Sequence, residues 1–165
     1  AYGCTSGTIA AGIDQIIDKI QSAKPKCKVT TPITSAVNAM RYLHLKKISV
    51  FTPYPQSINK KVINYFENEG FTIQSFASFN LESDLDIGKV DPKFLLEVLT
   101  KMDTDGAEAL FVSCTALPVL KIIQTLENKI KKIVLSSNQT LIWDSIRSVG
   151  RNSSIEGYGK LLRIN

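Results

Sequence analysis

The sequence has few of the residues from which metal sites and disulfide frameworks are built. Its 165 residues include one histidine, His44, and three cysteines, Cys4, Cys27 and Cys114. An odd number of widely spaced cysteines argues against a disulfide framework and against a zinc knuckle. His44 closes an apolar helical pattern, so we interpret it as a helix C-terminal cap rather than as a catalyst. We therefore predict no metal site, and the cysteine usage favours a reducing, cytoplasmic location.

Long apolar runs and nucleotide-binding loops are also missing. No stretch of 18 apolar residues occurs, so nothing in the sequence predicts a membrane span. The first residues lack the basic region and the apolar core of a signal peptide. Neither GxGxxG nor GxxxxGK[ST] is found, and we therefore expect a reaction without a cofactor.

The charge of the chain is moderately basic, with 20 Lys and Arg residues against 15 Asp and Glu residues, a formal net charge of +5. The lysines are scattered, mostly at the ends of predicted elements, and no arginine-rich run with interleaved aromatic residues occurs. This pattern is typical of a solvated surface rather than of a nucleic-acid interface. It favours some attraction of anionic metabolites.

Short apolar runs alternate with helical patterns through most of the chain. This alternation, with short connections, predicts an α/β fold with a flavodoxin-like parallel sheet. The runs are continuous, as expected for strands that are buried on both faces. The predicted strands are residues 47–52, 71–79, 109–113 and 132–136, and the predicted helices are residues 8–21, 57–69, 92–102, 117–126 and 138–149, with one more that begins at Pro32 after an N-cap at Thr31.

The pattern divides the chain into two unequal parts. Residues 31–150 are predicted to form one complete flavodoxin-like lobe. Residues 1–30 are interpreted as the remnant of a first lobe, to which residues 151–165 return. At about 30 residues for each strand–helix–strand unit, roughly 70 residues of that lobe would precede the chain. The similar motifs GCTSG (3–7) and SCTAL (113–117) suggest that the two lobes are related by a pseudo-dyad.

These two cysteine motifs are the strongest functional signal. Each cysteine is followed by a hydroxyl residue and then by a helical pattern, which predicts a thiol beside the positive end of a helix, where a thiolate is favoured. Two such thiols on opposite walls of one cleft could attack an electron-poor carbon and exchange protons with it. We therefore predict Cys4 and Cys114 as catalytic residues. Simple buried packing is the alternative for each, and Cys27, in a Pro/Lys loop, is interpreted as incidental.

Further candidates lie where open α/β sheets bind ligands, at the carboxyl ends of the strands. Thr5 and Ser6 could stabilise an oxyanion, N-cap the next helix, or do both. Tyr54 either directs its phenol into the cleft as a hydrogen-bond donor or acid, or is a surface aromatic residue. Asn138 either binds substrate or caps its helix, a role that Ser137 fills equally well. The remaining predicted substrate-binding residues are Thr115 and Ala116, after the second cysteine, and Asp84, in a predicted loop over residues 81–88.

Five ordered motifs carry a resemblance to a known superfamily. They are CTSGT (4–8), VTTP (29–32), VFTPY (50–54), FVSCTAL (111–117) and VLSSNQ (134–139), and the tail GYGKLLR (157–163) is similar as well. Together they resemble the aspartate/glutamate/hydantoin racemase superfamily. The nearest branch contains maleate cis–trans isomerases, ectoine-utilisation (EutA-like) proteins and arylmalonate decarboxylases. The resemblance implies two flavodoxin-like lobes that face each other, with a cofactor-free active site between them.

The resemblance also implies roles for individual residues. Cys4 would be the nucleophile, and Cys114 would supply or remove a proton. Thr5, Ser6 and Tyr54 would hold the substrate carboxylate or stabilise an enediolate. In a cis–trans isomerase the first thiolate adds to the double bond, the carbon–carbon bond rotates, and elimination gives fumarate. In a racemase the two thiols act on opposite faces of one carbon.

Three positions differ from the patterns of particular subgroups and narrow the choice among them. Amino-acid racemases usually have Asn-Thr after the first cysteine, whereas this chain has Thr5 and Ser6. Arylmalonate decarboxylases lack the first cysteine, whereas this chain has Cys4. Where maleate isomerases tend to carry an asparagine, this chain has Asp84, whose carboxylate would repel a dicarboxylate. That last difference favours the ectoine-utilisation subgroup.

We therefore predict a cytoplasmic, cofactor-independent isomerase or racemase that acts on a small carboxylic acid through two cysteines. An amino-acid or hydantoin racemase is the alternative enzyme. A non-catalytic domain that binds a small metabolite is the alternative from another class. We expect a homo-oligomer, dimer or tetramer, with no nucleic-acid or membrane partner, and the chain alone could be inactive without the segment predicted to precede it.

Overall fold

A four-stranded parallel sheet lies at the centre of the computed structural model, which describes residues 1–164. The strand order is β2-β1-β3-β4, and every neighbouring pair is parallel. The predicted α/β fold with a parallel sheet is confirmed. The strands are β1 (Lys47–Thr52), β2 (Thr72–Ser78), β3 (Ala109–Val112) and β4 (Ile133–Ser136).

Helical segments precede the sheet and follow each strand. The predicted start of the third helix is confirmed, because Thr31 and Thr34 form a capping box and Pro32 occupies the first turn. The helices are α1 (Thr5–Ala11), α2 (Ile13–Ala23), α3 (Pro32–Tyr42), α4 (Gln56–Asn68), α5 (Asp84–Gly88), α6 (Pro92–Lys101), α7 (Ile123–Ile130), α8 (Ser137–Ser148) and α9 (Lys160–Arg163).

The core is built on the two central strands. All four residues of β3 are buried, as are the last five residues of β1, which agrees with the continuous apolar runs in the sequence. Phe66 of α4 packs edge-on against Phe111 of β3, with ring centroids 5.2 Å apart. Trp143 of α8 is also buried, at 4% exposure. This packing holds the carboxyl ends of the strands at one edge of the sheet.

The predicted helix over residues 8–21 is wrong as a single helix. The structure has two helices, α1 and α2, separated at Gly12, whose φ is +91°. Side chains other than glycine rarely adopt this backbone conformation, and the α-helix cannot continue through it. The isoleucine spacing continues across the break, so the periodicity did not reveal it.

The predicted helix over residues 117–126 is also wrong in position. A 3₁₀ turn covers Val119–Lys121, and α7 begins only at Ile123. Leu117 and Val119 are each 1% exposed. These apolar residues are therefore buried in the loop and the 3₁₀ turn, although in the sequence they resemble the buried face of a helix. The chain after Cys114 is therefore a loop, with Pro118 at its end.

The predicted loop over residues 81–88 contains a short helix, α5. Asp84 and Asp86 lie in its first turn, where negative charge is favourable. Ile87 is 2% exposed and anchors the helix to the core. The two aspartates are therefore held on a short ordered element.

The C-terminal segment packs against α7, α8 and β4 through residue 164. Gln139 of α8 donates from Nε2 to the carbonyl oxygen of Tyr158 at 2.6 Å, and Glu127 of α7 accepts from the backbone N–H of Lys160 at 2.8 Å. Leu161 and Leu162 are buried. The division into a first-lobe remnant and a complete second lobe stays a prediction, and Asn165, which it includes, lies outside the described residues.

No helix within residues 1–164 has both the length and the apolar character needed to cross a membrane.

Candidate active site

The carboxyl ends of three strands lie side by side and carry the predicted site segments. Phe51 of β1 pairs with Val112 of β3, which pairs in turn with Ser136 of β4. The residues that follow these strands, among them Tyr54 and Cys114, therefore emerge at one edge of the sheet. This is the edge at which open α/β sheets bind ligands.

Ser137 connects the two cysteine loops. Its Oγ accepts a hydrogen bond from the backbone N–H of Cys114 at 3.0 Å and another from the hydroxyl of Thr5, also at 3.0 Å. Ser137 is fully buried and Thr5 is 1% exposed. The loop of Cys4 is thereby tied to the end of β4 and to the loop of Cys114.

Sequence reasoning missed this role of Ser137 and considered the residue only as a helix cap. The cap of α8 is Ser136, whose Oγ accepts from the backbone N–H of Gln139 at 3.2 Å. The cap alternatives for Ser137 and Asn138 are therefore wrong. The available signal was the pair of consecutive serines at a strand end, since one cap needs only one hydroxyl.

Thr115 and Asn138 strengthen the same connection. The Thr115 hydroxyl donates to the carbonyl oxygen of Gly3 at 2.8 Å, and Asn138 Nδ2 donates to the carbonyl oxygen of Thr115 at 2.9 Å. Thr115 thus joins the two cysteine loops, and Asn138 fixes the loop of Cys114 to α8.

Tyr54 lies between these loops, at 3% exposure, so the alternative of a surface aromatic residue is wrong. Its hydroxyl accepts from Ser113 Oγ at 3.4 Å, and the side chains of Cys114 and Thr5 lie close enough to influence its pKa. Burial, together with the neighbouring Cys114, raises the pKa of the Tyr54 phenol above its ordinary value of 10.0. The phenol is therefore neutral at physiological pH and can donate a hydrogen bond.

The backbone of Tyr54 is fixed independently of its side chain. Its carbonyl oxygen accepts from Asn59 Nδ2 at 2.7 Å and from Ser78 Oγ at 2.8 Å. These contacts bind the segment after β1 to α4 and to the end of β2. The phenol is held in a defined position before any ligand is bound.

Cys114 is buried, at 5% exposure, and has an unusual backbone conformation with φ at +89°. Burial raises the pKa of its thiol above the ordinary value of 9.0, and the negative charge of Asp84 acts in the same direction. Hydrogen bonds from the backbone N–H groups of Ala116 and Leu117 and from Tyr54 act in the opposite direction but are outweighed.

The prediction that Cys114 lies beside the positive end of a helix and is favoured as a thiolate is therefore wrong. The residues after it form a loop up to the 3₁₀ turn at Val119–Lys121, so the helix predicted to begin directly after Cys114 is not formed there. The thiol is protonated at neutral pH, and this suits it to donating a proton rather than to attacking a carbon.

Cys4 has a different environment, at the N-cap of α1. Its Sγ accepts a hydrogen bond from the backbone N–H of Gly7 at 3.2 Å and lies 3.8 Å from Ser6 Oγ. A Cβ atom at Gly7 would come within 2.8 Å of that sulfur, so only glycine leaves the thiol in this position. Cys4 is half-buried rather than enclosed.

An open pocket of about 310 Å³ adjoins Cys4. Of the predicted site residues it includes Cys4, Ser6, Tyr54 and Asp84; the others, including Cys114, do not line it. Within residues 1–164, no group of three or more potential metal-ligating side chains comes together. The lining residues are Cys4, Ser6, Gly7, Ala10, Tyr54, Pro55, Ile58, Leu81, Glu82, Asp84 and Ile87.

Nearly the whole chain matches a known protein family. The family model of arylmalonate decarboxylase matches residues 10–162. The chain belongs to this family. Among curated members of the wider group, maleate isomerase from Alcaligenes faecalis is 28% identical, over 98% of this chain and 67% of that protein. Arylmalonate decarboxylase from Bordetella bronchiseptica is 25% identical, over 80% of this chain and 56% of that protein.

Solved structures related to the family share the fold. A variant of Nocardia farcinica maleate cis–trans isomerase with a covalently bound succinylcysteine intermediate matches with a TM-score of 0.89 at 22% identity, over 98% of this chain and 69% of that chain. Unliganded arylmalonate decarboxylase matches with a TM-score of 0.82 at 20% identity, over 97% of this chain and 72% of that chain. The chain thus spans about two thirds of the length of several relatives.

Membership of the arylmalonate decarboxylase family confirms the resemblance to the branch of maleate isomerases and decarboxylases. The prediction of an isomerase-type enzyme is confirmed, as a general class of enzyme, by the maleate isomerases among the relatives. The assignment to the ectoine-utilisation subgroup and the roles of the two cysteines stay predictions.

Proposed function

We propose that this chain carries catalytic residues of a cofactor-independent cis–trans isomerase that acts on a small unsaturated carboxylic acid through Cys4 and Cys114. The observation that supports this most directly is the position of Tyr54. Its side chain lines the same pocket as Cys4, and the phenol lies close enough to the Cys114 thiol for each group to influence the pKa of the other. Two thiols therefore border one phenol, although they are far apart in the sequence.

In the first step Cys4, as a thiolate after losing its proton to solvent, adds to one carbon of the double bond. A carbon–sulfur bond forms, and the π electrons move toward the conjugated carboxylate and give an enediolate. The Tyr54 phenol and the Ser6 hydroxyl, which line the pocket, donate hydrogen bonds to the developing negative charge. The former double bond is now single and can rotate.

In the second step Cys114 acts as the acid. Its raised pKa keeps the thiol protonated, so it can transfer a proton to the carbon next to the carbon–sulfur bond. After rotation the Cys114 thiolate removes a proton from that carbon, the double bond reforms, and Cys4 leaves. The related Nocardia farcinica structure contains a succinylcysteine, a saturated adduct of the kind that such an addition and protonation produce.

The test is proton NMR of the purified protein with maleate and with its monoamide, maleamate. We expect the trans product from at least one substrate, and we expect Cys4→Ser to lower the rate by about a thousandfold or more, since it removes the group that forms the covalent bond. Cys27→Ser is the matched control, because Cys27 lies outside the pocket. Equal rates in Cys4→Ser and the control would contradict the proposal.

Assembly as a dimer or tetramer, a cytoplasmic location and completion of the site by a preceding segment stay predictions.

A further inference from the structure

The pocket beside Cys4 carries negative charge. The ionisable carboxylates that line it are Glu82 and Asp84, and both residues are exposed. Asp84 begins α5, and Ile87 of the same helix is 2% exposed and lines the pocket as well. The carboxylate of Asp84 is therefore carried by an element that is anchored in the core beside the reacting groups.

The negative charge of Asp84 also acts at the second cysteine, because it contributes to the raised pKa of Cys114. Asp84 itself lines the pocket, so its charge also acts on a ligand that is bound there. A second carboxylate on the ligand would be repelled there. An N–H donor at the same place would form a charge-assisted hydrogen bond instead.

Building on the proposed function, we infer that Glu82 and Asp84 select a monocarboxylate whose other end carries an amide or an ammonium group, in preference to a dicarboxylate. The ligand carboxylate lies toward the Ser6 hydroxyl and the Tyr54 phenol, which are the neutral donors of the pocket. The N–H group lies toward Asp84 and Glu82. A ligand with donors at one end and a carboxylate at the other is bound in one orientation only.

Three saturated ligands of equal chain length test this by calorimetric titration: succinate, succinamate and 4-aminobutyrate. They have no double bond to which a thiol could add, so the measurement reports binding alone. We expect succinamate or 4-aminobutyrate to bind about tenfold more tightly than succinate. Each of them lacks the second carboxylate of succinate, which would be repelled by the partly solvated carboxylates of the pocket. Tighter binding of 4-aminobutyrate than of succinamate assigns the ammonium group, and the reverse order assigns the amide.

Asp84→Asn should reduce this preference by about fivefold, and Glu82→Gln should reduce it by about twofold. Asp86→Asn is the matched control, because Asp86 lies in the same turn of α5 but does not line this pocket. Both asparagine variants remove one first-turn acid, so a general effect on α5 would appear in both. A preference that is unchanged in Asp84→Asn overturns the inference.

Turnover separates this inference from the proposed function. If the binding preference is found but none of maleate, maleamate and cis-4-aminocrotonate is isomerised, the isomerase proposal fails and the ligand class stands. If maleate is isomerised with a kcat/KM equal to or above those of both maleamate and cis-4-aminocrotonate, the isomerase proposal stands and the ligand class is overturned. Equal or tighter binding of succinate, or no binding of any of the three ligands, also overturns the ligand class.

Discussion

The loops of Cys4 and Cys114 have similar sequences but different surroundings. Cys4 is half-buried at the N-cap of α1, its sulfur accepts an N–H hydrogen bond, and it faces an open pocket. Cys114 follows the central strand β3, is 5% exposed, and has a raised pKa because it is buried. A cysteine followed by a small hydroxyl residue therefore does not determine the state of the thiol. The state of the thiol is determined by the structural element in which the motif lies and by how deeply that element is buried.

This difference suggests that the two thiols have different chemical roles. An accessible thiol with an N–H donor at its sulfur suits nucleophilic attack. A buried thiol that holds its proton suits proton transfer. The symmetric interpretation, in which both thiols are activated by helix dipoles, does not fit the surroundings of Cys114. The experiments below act on one loop at a time.

The largest effect is expected from removal of the proton donor. Cys114→Ala should lower turnover by about 10²- to 10⁴-fold, the usual contribution of a general acid or base. It should also remove deuterium incorporation at the vinyl carbon in D₂O, because incorporation requires the protonation step. Wild-type turnover in this variant would contradict the role of Cys114, and a product free of deuterium from the wild-type protein would favour direct elimination from the enediolate.

Gly7→Ala should disturb the Cys4 loop alone. The added Cβ would lie 2.8 Å from Cys4 Sγ and 2.9 Å from Tyr2 Oη, so the sulfur must move. We expect turnover to fall by about a hundredfold, as for a small displacement of a reacting group. Gly3→Ala is the matched control, since its Cβ would meet nothing within 4 Å. Steady-state rates for the two variants decide the question, and equal rates would show that the sulfur position is not critical.

Ser137→Ala should weaken the connection between the loops. It leaves the buried N–H of Cys114 and the buried hydroxyl of Thr5 without their acceptor, at a cost of about 1–3 kcal/mol in the free energy of unfolding. Urea denaturation measures this, with Ser57→Ala on the exposed face of α4 as the control. A change equal to that of the control would mean that the connection contributes no stability.

The smallest effect concerns the rates at which the thiols are alkylated. Because the pKa of Cys114 lies above 9.0, its thiolate fraction is low at pH 7 and rises only as the pH passes beyond the range of an ordinary thiol. Iodoacetamide should therefore label Cys114 several-fold more slowly than a free cysteine at pH 7–8, with a steeper rise at alkaline pH. Peptide mass spectrometry resolves the three cysteines, and rapid labelling of Cys114 at pH 7 would contradict the raised pKa.

Several local features were predictable because they depend on neighbouring residues. The four strands lie within a few residues of their predicted positions, since each is a short apolar run between helical patterns. The capped start of α3 follows from a threonine before a proline. The break at Gly12 and the loop after Cys114 were missed, because the apolar spacing is the same whether or not the backbone continues as a helix.

The sequence by itself determined the order of the strands, the parallel sheet and the family, because these depend on local patterns and ordered motifs. Only the tertiary structure decided the state of the site. Thr5 and Ser137 are 132 positions apart, and the sheet order brings them into contact. The burial that raises the pKa of Cys114, and the position of Asp84 at the pocket, result from packing between distant elements. Hydrogen-bond partners and solvent exposure are properties of the folded chain, and two similar motifs can therefore acquire different chemistry.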